Sequence, residues 1–152
     1  MKTVVKALVL AASLAASNAA MAQEVAECDW RNAASAVLEP WEEYTRTFAN
    51  GDVRIAVIDM VEPGVAPLHL LVLSPPYDEL NIRQCKLVTF EGTRGFADLN
   101  FAALDAAYDP SVGLIFTMPI RVYDIDTADM RDTTLRFTLN QATGQMGAQF
   151  VQ

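Results

Sequence analysis

Beyond residue 22 the chain offers little for nucleophilic or metal chemistry. It has one histidine, His69, three serines (Ser35, Ser74 and Ser111) and two cysteines, Cys28 and Cys85. A Ser-His-Asp triad would have to use His69, which stands beside Leu68 and Leu70 in an apolar run. It reads there as a packed strand residue rather than a base. No G-x-S-x-G elbow is present. Structural zinc needs about four Cys or His ligands, and only three such side chains exist. H-E-x-x-H, phosphate-loop and dinucleotide glycine patterns are absent, so no cofactor is expected.

Carboxylates are the remaining chemical resource. Asp124, Asp126, Asp129 and Asp132 invite a calcium reading, because hard cations take several oxygens. The spacing fails the EF-hand pattern, whose sixth position is Gly where this chain has Asp129, and whose twelfth is Glu. The expectation is a solvated acidic turn, with Asp124, Asp126 and Asp129 as a weak metal candidate. Asp78 with Glu79, or Asp105 with Asp109, could serve a glycosidase-type hydrolase, which needs two carboxylates across a cleft. Nothing else in the chain supports that chemistry.

The most distinctive surface stretch is Ser74-Pro75-Pro76-Tyr77-Asp78-Glu79-Leu80. Two prolines stiffen it, which lowers the entropy lost on binding. Tyr77 supplies a rigid amphipathic contact, and Asp78 and Glu79 supply charge. Pro75, Pro76, Tyr77, Asp78 and Glu79 are therefore the candidate binding residues, as a contact surface without catalysis.

The segments around that stretch must hold it in place. Thr45–Ala49 and Val53–Ile58 flank Asn50-Gly51, a strong signal for a two-residue hairpin. Val53, Ile55 and Val57 should face the core, with Arg54 opposite. Leu68–Ser74 is apolar on both faces, as expected of a central strand covered on both sides. Pro75 should end it. Gln84–Phe90 is the next strand. Residues 98–108 fit either helix or strand, and their place before a turn favours strand. Leu114–Tyr123 alternates cleanly, with Pro119 indicating an edge or a bulge. Thr134–Leu139 and a last strand carrying Met146, Ala148 and Phe150 follow, joined by a turn with Gly144 in the left-handed region. At the other end, Asp29 is placed to cap a short helix ending near Pro40. Trp30 and Trp41 should pack that segment onto the sheet. The sum is a mainly β chain, an antiparallel sandwich or partly open barrel of about seven or eight strands, after a short N-terminal helix or irregular segment.

Residues 1–22 read as a cleaved signal peptide: Lys2 and Lys6, an apolar stretch from Ala7 to Ala16, and Ala20-Met21-Ala22 as a small-x-small cleavage site. The apolar stretch is too short for a membrane span, and no stable membrane anchor is expected after cleavage. Residues 23–152 then form one exported, periplasmic domain. Loss of Lys2 and Lys6 leaves nine basic side chains against 19 acidic ones, a net charge near −10. Such a surface repels nucleic acid and anionic lipid and favours a cationic partner. In an oxidising compartment Cys28 and Cys85 read as one disulfide. The expected function is a non-enzymatic binding or adaptor domain that contacts a cationic protein or an envelope component. Two alternatives differ in class: a carrier holding a small apolar ligand or lipid inside a barrel, and the carboxylate hydrolase.

Overall fold

Alternation of apolar side chains builds nearly every strand in this protein. The structure is a computed structural model that describes residues 24–151 apart from 31 and 93. The expected signal peptide lies outside the described residues. The first sheet contains β1 (Val25–Glu27), β2 (Thr45–Phe48), β3 (Val53–Asp59), β4 (Leu68–Tyr77) and β5 (Arg83–Val88), in the order β1-β5-β4-β3-β2. The second contains β6 (Asp98–Leu99), β7 (Asp105–Asp109), β8 (Gly113–Asp124), β9 (Asp129–Leu139) and β10 (Met146–Val151). Its order is β10-β9-β8-β6, with β7 also paired to β8. All pairings are antiparallel. Each sheet is thus assembled from one continuous half of the chain.

The two sheets close on each other as a sandwich, as the strand pattern leads one to expect. Val53, Ile55, Val57, Leu70 and Val72 from the first sheet meet Phe116, Met118, Val122, Leu135, Phe137 and Leu139 from the second, all at most 1 % exposed. Phe116 sits at the junction. Its ring stacks on Phe137 at 4.8 Å and receives the edge of Phe48, from the opposite sheet, at 4.9 Å. Among the described residues ten strands form instead of the expected seven or eight. β1 adds an edge strand with no alternation to betray it, and a 3-10 turn at Phe101–Ala103 splits residues 98–109 into β6 and β7.

Three local expectations are corrected. The Asn50-Gly51 hairpin has a four-residue loop, because Phe48 pairs with Val53. Ala49, with φ 51°, packs on the core and joins Asn50 and Gly51 in the left-handed region. Pro75 does not end β4. Ser74 pairs with Gln84 and Tyr77 with Arg83, so Pro75 and Pro76 bulge out of register where the ladder needs no donor. Pro119 lies in the central strand β8, neither at an edge nor in a bulge. Its carbonyl accepts from the Asn100 amide, and in an antiparallel ladder its missing N–H would point the same way. On that side the partner changes from β6 to β7, so no acceptor is left waiting.

The N-terminal segment also departs from expectation. Asp29 caps no helix; its amide donates to Asn32 Oδ1 at 2.6 Å, and the 3-10 turn Ala34–Ala36 follows Ala33. Pro40 precedes the one-turn helix α1 (Trp41–Tyr44) instead of ending one. Trp30 and Trp41 do not pack onto the sheet; they are 87 % and 56 % exposed. Leu38 and Tyr44 reach the core in their place, and the segment is pinned by backbone contacts, Leu38 N–H to Val57 O and a bridge between Val37 and Ile58. The expected disulfide is present. Cys28 and Cys85 are joined with their Cα atoms 5.4 Å apart.

Candidate functional site

Strand alternation sets the outer face of the first sheet. Two cross-strand rows line it: Thr45, Ala56, Leu71 and Leu87, and beside them Thr47, Arg54, Leu73 and Cys85. Leu71 and Leu73 therefore face away from the sandwich core, and the second cover expected for β4 is incomplete. The segment from Asn32 to Glu42 forms a wall along this face. Between wall and sheet lies an open groove of about 650 Å³, floored by Ala56, Leu71, Leu73 and Arg54 and flanked by Trp41 and Glu42. The disulfide holds the two sides, since Cys28 precedes the wall and Cys85 is in the floor. This groove went unread in the sequence. The signal was available once β3 and β4 are paired: Arg54 stands directly opposite Leu73.

The sequence candidate, Pro75 to Glu79, occupies one end of the sandwich. Pro76 abuts the β9–β10 turn, where a side chain on Gly144 would come within 2.7 Å of Pro76 Cδ. Gly144 has φ 74°, in the left-handed region as expected. Gln84 Nε2 ties this base together by donating to Ser74 Oγ at 2.8 Å and to Gly144 O at 3.1 Å. The β2–β3 loop braces the other side: Tyr77 O–H donates to Asp52 Oδ1, and Arg83 donates to Gly51 O. The tip itself is a turn organised by Asp78, whose Oδ1 accepts the amides of Leu80 and Ile82 at 2.9 and 2.8 Å. Tyr77, Leu80 and Ile82 are consequently presented to solvent, at 41 %, 79 % and 57 % exposure. Glu79 and Asp52 are exposed around them. Sequence reading found the loop as far as Leu80 but gave Leu80 no contact role and left out Ile82.

His69 and Ser74, two residues a triad could draw on, do not come together. His69 is buried in β4. Ser74 lies five residues along the same strand and so points to the opposite face. Ser111 is bound to Asp109 Oδ1. That contact, with the Ser111 amide, holds the Asp109 carboxyl below the usual carboxylate range. Asp124 accepts the amides of Asp126 and Thr127, with Thr127 the larger influence lowering its pKa. Asp129 accepts the Met130 amide, and Asp132 pairs with Arg121 at 2.8 Å. These acids are engaged in shaping the β8–β9 turn. Among the described residues no three His, Cys, Asp or Glu side chains are grouped to hold a metal ion.

One carboxyl is unusual. Burial at the β1 end pushes Glu24 up to about 7, although its Oε2 accepts the Glu91 amide at 3.0 Å. A carboxyl raised in the folded state binds more protons there than in the unfolded chain, so stability falls as pH rises from about 4.5 through about 7. Glu24→Gln should flatten that decline. Thermal melts at pH 5 and pH 8 check it, with the wild type losing more than the variant between them.

No protein-family model, curated protein or solved structure matches this chain.

Proposed function

We propose that this protein is an exported, non-enzymatic binding domain that docks a basic envelope protein through the tip of the β4–β5 hairpin. The observation that carries the reading is the composition of that tip: Tyr77, Leu80 and Ile82 exposed together, rimmed by Asp52 and Glu79, on a base fixed to both neighbouring turns. A rigid apolar centre inside a charged rim is the usual anatomy of a protein contact. The acidity of the chain selects for a basic partner and favours fast, salt-dependent encounter. Residues 1–22 serve as the signal peptide, and the periplasm is the compartment. The Cys28–Cys85 disulfide suits an oxidising environment, and among the described residues no helix is long and apolar enough to cross a membrane.

The carrier alternative draws less support. The Leu, Phe and Met side chains it would arrange around a ligand instead pack on one another between the sheets.

The test is retention of basic envelope proteins on immobilised mature protein, with the Leu80→Asp/Ile82→Asp double variant alongside. The wild type should retain a basic partner at low salt and release it as salt rises. The variant should lose that partner while melting within a few degrees of the wild type. Equal retention by both, or no salt-sensitive partner at all, refutes the proposal.

A further inference from the structure

We infer that the outer-face groove of the first sheet is a ligand site for a small amphipathic carboxylate, with the carboxylate on Arg54 and an apolar or aromatic tail lying over Leu71 and Leu73 against Trp41. This site is separate from the hairpin tip, and neither depends on the other.

Three independent observations converge on it. The first is charge. The Arg54 side chain has no hydrogen bond or ion pair with any described residue. Most other cations are committed: Lys86 to Glu27, Arg94 to Glu91, Arg121 to Asp132, and Arg46 and Arg83 to backbone carbonyls. In a chain this acidic, a guanidinium with no carboxylate partner on the floor of a concavity leaves a full set of planar donors for an incoming anion. The second is polarity. The outward face of a sheet is ordinarily solvated and polar, yet Leu71 and Leu73 of the central strand are turned that way, beside Ala56. The third is the wall. Trp41 stands at the rim more than half exposed, although burying its ring would remove much apolar area from water. At about 650 Å³ the groove falls in the range of small-molecule sites, which are mostly apolar with a few placed polar groups. The disulfide and the Val37–Ile58 bridge fix wall to floor before any ligand arrives.

The ligand class follows from these parts. A neutral hydrocarbon would leave Arg54 unanswered, and a multiply charged anion would meet Glu42 on the wall. One carboxylate with an apolar body satisfies both. The probe is 6-phenylhexanoate, with 6-phenylhexanol as its uncharged counterpart, read by tryptophan fluorescence in a Trp30→Phe background so that Trp41 is the sole tryptophan. The acid should shift Trp41 emission saturably. The alcohol should need about tenfold more for the same effect, the scale of a charge-assisted hydrogen bond. Arg54→Gln should abolish that preference, and Arg54→Lys should restore part of it. Because the Arg54 side chain is exposed and makes no hydrogen bond to a described residue, neither change threatens folding. Absence of a saturable response, equal affinity for acid and alcohol, or a preference that survives Arg54→Gln would each overturn the inference.

Discussion

Phe116→Ala should lower the unfolding free energy by about 4 kcal/mol, within the range for truncating a buried phenylalanine. Phe116 is fully buried, and its ring bridges the layers by stacking on Phe137 while meeting the edge of Phe48. Removing it deletes the apolar burial and the two ring contacts. It also leaves a cavity between two hydrogen-bonded sheets, which cannot collapse to fill it. For a chain of this size the melting temperature should drop by roughly 12–20 °C. Phe150→Ala is the comparison, since Phe150 is only partly buried at the edge of the second sheet, and its loss should be distinctly smaller. Urea denaturation of both variants checks this; equal losses would mean that Phe116 is not the junction described.

Cys28→Ser/Cys85→Ser should cost a similar amount by a different route. The bridge spans a sequence separation of 57, and cross-linking a loop of that length restricts the unfolded chain by about 4 kcal/mol. The native core should be nearly untouched, because Cys85 faces the groove rather than the interior. The two variants are therefore distinguishable. Phe116→Ala should disturb the near-ultraviolet circular dichroism of the packed rings, whereas loss of the bridge should leave that spectrum in place below the transition and lower the denaturation midpoint. The sites share no partner, so their effects should add. The combined loss, about 8 kcal/mol, is comparable to the whole stability of an ordinary domain, and the triple variant should be largely unfolded at 25 °C.

The strands that lie against the core were legible because burial on one face writes a period of two into the sequence. Val53, Ile55 and Val57, then Leu114 to Val122, then Leu135 to Leu139, all read correctly for that reason. The four-residue loop at Asn50 was less visible, since its length is decided by Ala49 packing inward. Trp41 misled because a tryptophan is ordinarily worth burying, and only the register of β2, β3 and β4 reveals that the face beside it is a groove. The hairpin tip was found through its prolines and acids. Its apolar half depends on the Asp78 turn, which turns Leu80 and Ile82 outward through backbone geometry that no residue pattern announces.

The division of the sandwich into two sequence-contiguous sheets bears on how the molecule is made. No strand of one layer waits for a strand of the other to find its hydrogen-bonding partner. The loops that must close are mostly hairpins between consecutive strands, apart from the return of β1 to β5 and the pairing of β6 with β8 across β7. Sandwiches whose strands cross between layers carry a larger entropic barrier, because distant segments must meet before any ladder forms. Here the half ending at Val88 holds all the strand partners of the first sheet and both cysteines of the bridge, and only the edge of β4 at Leu68 takes a later backbone partner, Phe96. The half beginning at Asp98 then supplies Phe116 and Phe137 as the second face. The topology thus allows the second sheet to condense on the apolar face of the first in the order of synthesis.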